Sequence, residues 1–160
     1  MEHLRFHQKD IRGLNGGGLM YYNYHATAKK LIADGHLTGY NIVEKYNKIT
    51  YLQDSHCIID GVKFYGSPWT PEFNDWAFNS TPEELEKLWE DLPNDIDVLI
   101  THGPPKGILD KTLTGLHVGD PALLQALDRV RPKIHAFGHI HEANGTALKN
   151  GIQFVNASSC

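Results

Sequence analysis

Two histidine-bearing motifs, each directly after a short apolar run, constrain the fold of this chain most. Residues 98–100 (VLI) lead into residues 101–105 (THGPP), and residues 134–137 (IHAF) lead into residues 138–141 (GHIH). Short apolar runs bounded by Gly and Pro are typical of buried strands. Ligands of open α/β sheets bind beyond the carboxyl ends of the strands, so we expect both motifs at such an edge.

Three imidazoles, those of His102, His139 and His141, would reach this edge. In an extended chain residues i and i+2 share a face, so His139 and His141 are expected to reach one site. Neutral imidazole is the commonest protein ligand of transition metals, which favours a metal site over a pair of polar loop histidines. The site is predicted to be incomplete, because divalent ions also favour oxygen donors and no carboxylate motif accompanies the histidines.

From residue 49 onward, short strands alternate with two helices. Thr81 and Asp120 are predicted N-caps of helices that end near residues 91 and 131, and Asp60-Gly61 and Asn150-Gly151 are predicted hairpin turns. Residues 66–79 are predicted to form a long loop. The order β-β-β-α-β-α-β-β-β predicts a mixed α/β layer fold. Strands are predicted at 49–52, 56–59, 62–65, 97–101, 133–138, 145–149 and 152–155.

Composition and charge narrow the classes of function. The chain has 160 residues, and its net charge of -4 argues against a nucleic-acid partner. No apolar run is long enough for a membrane span, and the first residues lack the apolar core of a signal peptide. With only Cys57 and Cys160 and no CxxC, we expect a reducing cytoplasm. Residues 1–48 stay poorly assigned, with one short helix at 24–33.

Six segments of the chain, in the order in which they occur, resemble the calcineurin-like metallophosphoesterase superfamily. The resemblance is greatest to the small class III phosphodiesterase-like branch that includes the metallophosphoesterase-domain-containing proteins. This resemblance implies a mixed-sheet sandwich with αββα layers, of which residues 49–160 would form the C-terminal half. The segments are 51–55 (YLQDS), 66–71 (GSPWTP), 99–105 (LITHGPP), 130–132 (VRP), 138–142 (GHIHE) and 156–158 (NAS).

The resemblance also implies a function. Members of the family hydrolyse phosphoesters with two divalent ions, variously Mn, Fe, Zn or Ni. By resemblance, His102 and His139 would bind one ion and His141 the other. The implied activity is that of a hydrolase, a metal-dependent phosphodiesterase with manganese among its expected metals, acting on a small-molecule phosphoester, with a nucleotide-like ester as one option.

The chain departs from the family pattern, because the family's G-D-x-x-D and G-N-H blocks do not occur in it. The D-x-H matches at 34–36 and 54–56 are interpreted as unrelated to the site. Three explanations stay open: a fragment whose missing blocks lie upstream of Met1, a non-catalytic homologue that acts as a metal-binding or interaction module, or unrecognised ligands such as His25 or Asp34. At most one ion is expected on this chain alone. Missing strands would also leave an exposed sheet edge through which the chain could self-associate.

Several other side chains are weighed between a site role and a structural role. Aromatic residues of the 66–79 loop are expected either to line the substrate mouth or to anchor the loop. His135, inside a strand, is expected to be structural. Glu142 is expected either to orient a ligand imidazole or to face solvent. The residues with two open interpretations also include Trp69, Phe73, Asn74, Asp75, Trp76, Phe78 and His117.

Overall fold

The computed structural model describes residues 50–74 and 76–159. Contacts divide the chain into two units, one made of residues 1–51 and 75–77 and the other of residues 52–74 and 78–160. Every described helix and strand belongs to the second unit. The predicted helix at 24–33, together with the rest of 1–48, lies outside the described residues.

Eight strands and two α-helices make up the described part, in an order close to the predicted one. A short 3-10 helix, His141–Ala143, follows the sixth strand. The elements are β1 (Ser55–Ile59), β2 (Val62–Ser67), β3 (Thr70–Pro71), β4 (Asn79–Ser80), α1 (Pro82–Glu90), β5 (Val98–Thr101), α2 (Pro121–Val130), β6 (Ile134–Phe137), β7 (Gly145–Lys149) and β8 (Ile152–Asn156).

Six of the strands form one mixed sheet in the order β1-β2-β5-β6-β8-β7. The four central strands run parallel, and the two outer strands pair antiparallel with their neighbours. Both predicted hairpins are confirmed. Asp60-Gly61 and Asn150-Gly151 have positive φ at each turn residue, as a type I′ turn requires.

Both helices begin at the predicted caps. The Thr81 hydroxyl accepts from Glu84 N–H at 3.3 Å while the Glu84 carboxylate accepts from Thr81 N–H at 3.0 Å, which is a complete capping box. The Asp120 carboxylate accepts from two backbone N–H groups of the first turn of α2. Each cap satisfies donors that the helix itself cannot satisfy.

One face of the sheet and the two helices enclose the core. Leu99 of β5, Phe137 of β6 and Phe154 of β8 are buried together with Trp89 of α1 and Leu123 of α2. On the alternate positions of the sheet, Ile100 and Ile134 are exposed. The described part therefore has a mixed β-sheet with two helices on one face, which confirms the predicted mixed α/β layer fold.

Two local predictions were wrong. Residues 50–52 are not in a strand. The predicted loop at 66–79 contains the paired two-residue strands β3 and β4, in which Thr70 is the register partner of Asn79. This parallel pairing across a nine-residue separation depends on the path of the folded loop, so no local sequence pattern predicts it.

Among the described residues, no helix has the length and hydropathy needed to cross a membrane.

Candidate metal centre

Adjacent parallel strands bring two of the predicted ligands to one edge of the sheet. β5 and β6 pair with Leu99 opposite His135 and Ile100 opposite Ala136. His102 directly follows β5, and His139 comes two residues after the end of β6. Because parallel strands end at the same edge, the two imidazoles meet there, as the sequence predicts.

The two imidazoles are in direct contact. His102 Nε2 lies 3.1 Å from His139 Nδ1, and the ring centroids are 4.8 Å apart with an interplanar angle of 53°. Two nitrogens bound to one Zn²⁺-like ion at about 2.0–2.1 Å, on adjacent coordination positions, would lie about 2.9–3.4 Å apart. In the chain without metal this contact is a hydrogen bond, in which one of the two facing nitrogens donates. With that proton displaced, the pair would have the donor type and the spacing of two ligands of a single ion.

Burial keeps this pair neutral. Burial, followed by the neighbouring His139, lowers the pKa of His102 to about 4. Burial, followed by the charge of His141, also lowers the pKa of His139. Both rings are thus in the neutral, lone-pair-bearing form that binds metals near pH 7.

His141 lies at the start of a different element from His139. His139 has φ 74°, in the left-handed region, Ile140 between them is extended, and His141 begins the 3-10 helix. That His139 and His141 reach one site stays a prediction. His141 is exposed, and the described residues contain no group of three His, Cys, Asp or Glu side chains that could hold a metal ion. Its role as a ligand of a second ion stays a prediction.

Small side chains hold the backbone around His102. The Thr101 hydroxyl donates to the Gly103 carbonyl at 2.7 Å, and Gly138 N–H donates to the His102 carbonyl at 3.0 Å. A Cβ at Gly103 would lie 3.0 Å from the Thr70 hydroxyl. A side chain at 103 would therefore require the Thr70 hydroxyl to move by a few tenths of an ångström. The sequence analysis singled out neither Thr70 nor the Thr101 hydroxyl bond, because both contacts depend on the folded turn.

Two further predicted residues hold the 106–119 loop beside the histidines. His117 Nδ1 contacts the Asp110 carboxylate at 2.6 Å, and the other oxygen of that buried carboxylate accepts from Gly107 and Gly119 N–H. Burial raises the pKa of Asp110, but the hydrogen bonds from His117, Gly107 and Gly119 together outweigh burial, so the pKa lies below its usual value. Glu142 accepts from Leu113 N–H at 2.8 Å. Asp110 was not predicted as a functional residue, because the only sign of its role in the sequence is its position in a glycine-containing loop.

The aromatic loop is anchored at Trp69. Trp69 Nε1 donates to Asp54 at 2.7 Å, and the Trp69 and Phe78 rings pack edge to face at 5.7 Å. Ser67 Oγ donates to the second Asp54 oxygen at 2.8 Å. These contacts support the anchoring role of the loop, and they support the interpretation that 54–56 is not a ligand block. Phe73 is exposed, and Asp75 lies outside the described residues.

A solved crystal structure shares this architecture. It matches with a TM-score of 0.57 and 21% sequence identity, over 75% of this chain and 50% of that chain. At this identity the match supports the fold.

The sequence is also similar to curated proteins of animals. Metallophosphoesterase domain-containing protein 1 of Homo sapiens is 42% identical over 123 residues, which cover 75% of this chain and 38% of that protein. A UPF0046 protein of Caenorhabditis elegans is 40% identical over 122 residues, covering 76% of this chain and 41% of that protein. The chain thus spans about two fifths of the length of these relatives.

The family model for calcineurin-like phosphoesterases matches residues 9–143. This range includes both histidine motifs. It also includes most of the segment 1–48, in which the sequence analysis recognised no family motif. With relatives above one third identity and a mixed sheet that carries the histidine pair, the chain belongs to the calcineurin-like phosphoesterase family.

Proposed function

We propose that the chain supplies His102, His139 and His141 to a dinuclear metal centre that hydrolyses phosphodiesters. The observation that carries this proposal is the 3.1 Å contact between His102 Nε2 and His139 Nδ1 at the carboxyl ends of β5 and β6. Family membership supports a phosphoesterase-type function.

Each imidazole has a proposed role. His102 and His139 hold one ion through the two facing nitrogens, and His141 holds the second. When bound, divalent ions would polarise the phosphoester and lower the pKa of water. The turn around Gly103 and the hydrogen bond from Gly138 N–H to the His102 carbonyl orient the pair. The oxygen donors of the centre are proposed to lie outside the described residues.

The proposed substrate is a small phosphodiester, with a nucleotide-like ester as one option. Mn²⁺ is the first metal to test, and Fe, Zn and Ni are alternatives. Cys57 on β1 carries a free thiol, which is compatible with the proposed cytoplasmic location.

Metal content and turnover test the proposal together. The purified chain is loaded with Mn²⁺, its metal is counted by elemental analysis, and hydrolysis of bis(4-nitrophenyl) phosphate is followed by the visible absorbance of the released nitrophenolate. We expect at most one retained ion and weak turnover. His139→Ala should reduce metal retention by more than about 10-fold, since residues that merely support a ligand cost about 10–100-fold.

His56→Ala is the matched control. His56 is an exposed histidine on β1, so its loss should leave metal retention unchanged. Equal losses in both variants would indicate nonspecific binding by surface imidazoles and would overturn the proposal. Strong turnover that His139→Ala abolishes would support the phosphoesterase but contradict the incomplete centre.

A non-catalytic module that binds one ion is the second candidate function. The same 3.1 Å pair favours it, because the described residues supply no third ligand to that pair. Near-stoichiometric retention of a single ion without hydrolysis would favour this candidate. A chain that retains no metal would contradict both candidates.

A further inference from the structure

His135 is an unusual residue for the centre of an apolar core. It is fully buried, and its ring packs 4.9 Å from the Phe137 ring and 5.8 Å from the Phe154 ring. Burial lowers its pKa to about 3, so the ring is neutral. Its Nδ1 has no hydrogen-bond partner. An aliphatic side chain at this position would avoid the cost of an unpaired buried nitrogen. Any advantage of histidine here must therefore lie in the hydrogen bond that its Nε2 makes.

The contacts of Nε2 assign the direction of a hydrogen-bond chain. The Thr101 hydroxyl lies 2.7 Å from the Gly103 carbonyl, which only accepts, so the hydroxyl proton is donated there. The hydroxyl oxygen must then accept from His135 Nε2, 2.8 Å away. His135 therefore carries its proton on Nε2 and holds the hydroxyl in the orientation that closes the turn from Thr101 to Gly103.

We propose that His135 is a positioning residue for the histidine pair, acting through the Thr101 hydroxyl on the turn that carries His102. Thr101 and Gly103 flank His102 directly, so the chain of hydrogen bonds fixes the backbone from which that imidazole projects. The His102 carbonyl in turn accepts from Gly138 N–H, next to His139. Loss of the Nε2 donor should therefore alter the 3.1 Å contact of the pair. This inference rests on the proposed function for its biological meaning.

Imidazole ¹⁵N resonances of the metal-free chain test the inference directly. His135→Leu removes the donor, whereas His135→Gln keeps an N–H at a similar reach. We expect the His102 and His139 ring resonances to shift in His135→Leu and to return toward the wild-type positions in His135→Gln. Where His135→Leu does not fold, Thr101→Val replaces it and Thr101→Ser becomes the conservative partner.

Binding of Co²⁺ alone, followed by its visible absorption, gives a second readout. Mutation of residues that support metal ligands typically lowers metal affinity by about 10–100-fold. We therefore expect about a 10-fold loss of Co²⁺ affinity in His135→Leu and its recovery in His135→Gln. The losses in His135→Leu and Thr101→Val should not add in the double variant, because both break one chain.

Phe154→Leu is the structural control, since it loosens the packing around His135 without touching the Thr101 hydroxyl. Unchanged His102 and His139 resonances in folded His135→Leu would overturn the inference, as would an equal shift in Phe154→Leu. A wild-type chain that binds no Co²⁺ would contradict the proposed function, while the resonances would still decide the role of His135.

Discussion

At the scale of single residues, Gly119 shows how closely two backbone segments approach in this fold. A Cβ at this position would lie 2.5 Å from the Pro105 carbonyl oxygen and 2.6 Å from its carbon. Asp120 N–H donates to the Pro104 carbonyl, and Lys106 N–H donates to the Asp120 carbonyl, both at 2.9 Å, so the segments cannot separate freely. We expect Gly119→Ala to lower the free energy of unfolding by about 1–3 kcal/mol or more, measured by urea denaturation.

Gly138→Ala is the matched comparison for that experiment. Its Cβ would meet the end of a side chain, the Ser158 hydroxyl, at 3.3 Å, and a hydroxyl can move more easily than a backbone. A smaller loss of stability is therefore expected at 138 than at 119. The reverse order would contradict the argument from backbone contact.

Single residues of the candidate site also differ in how well the sequence predicts their positions. His102 and His139 could be paired in advance, because each follows a short apolar strand and parallel strands end together. The local backbone at His141 could not be predicted, because His139 takes a left-handed φ of 74° and a 3-10 helix begins at His141. Nothing in the sequence of residues 138–141 distinguishes this conformation from a continued strand.

At the scale of elements, the start of α2 joins two stabilising contacts in one carboxylate. Asp120 Oδ1 accepts from the first turn of the helix, and Asp120 Oδ2 accepts from Trp89 Nε1 at 2.6 Å inside the core. Asp120→Ala removes the cap and leaves a buried indole N–H without a partner. We expect a loss of about 1.5–5 kcal/mol in the free energy of unfolding, from about 0.5–2 for the cap and about 1–3 for the orphaned donor.

Thr81→Ala separates the two contributions, because the Thr81 cap of α1 is exposed and holds no core group. Its loss should be about 1 kcal/mol, and both variants are compared by urea denaturation. Equal losses at 81 and 120 would show that the Trp89 contact contributes nothing to stability.

Element boundaries followed the sequence wherever a local contact sets them. The caps at Thr81 and Asp120 and the turn at Asn150-Gly151 are local, and all three were predicted correctly. The pairing of β3 with β4 was missed, because the partner of Thr70 is Asn79 and the pairing depends on the folded loop.

At the scale of the whole molecule, the described sheet has two edge strands, and β1 is the more apolar of them. β1 has a single neighbour, β2, among the described strands, and its Ile58 and Ile59 are 64% and 52% exposed. A strand edge with apolar side chains offers unpaired backbone groups and apolar surface to a second chain. We therefore expect the self-association predicted from the sequence to occur through the edge of β1.

We expect the chain to form concentration-dependent oligomers, detected by sedimentation velocity, and Ile58→Lys to shift the distribution toward monomer. A lysine on an edge strand opposes pairing, because a second chain would bury its charge. Leu113→Lys is the control, since Leu113 is 90% exposed but lies in the loop after β5 rather than on a strand. If Leu113→Lys reduces oligomers as much as Ile58→Lys, general surface apolarity drives the association. If the unaltered chain stays monomeric at high concentration, the β1 edge is not an association site.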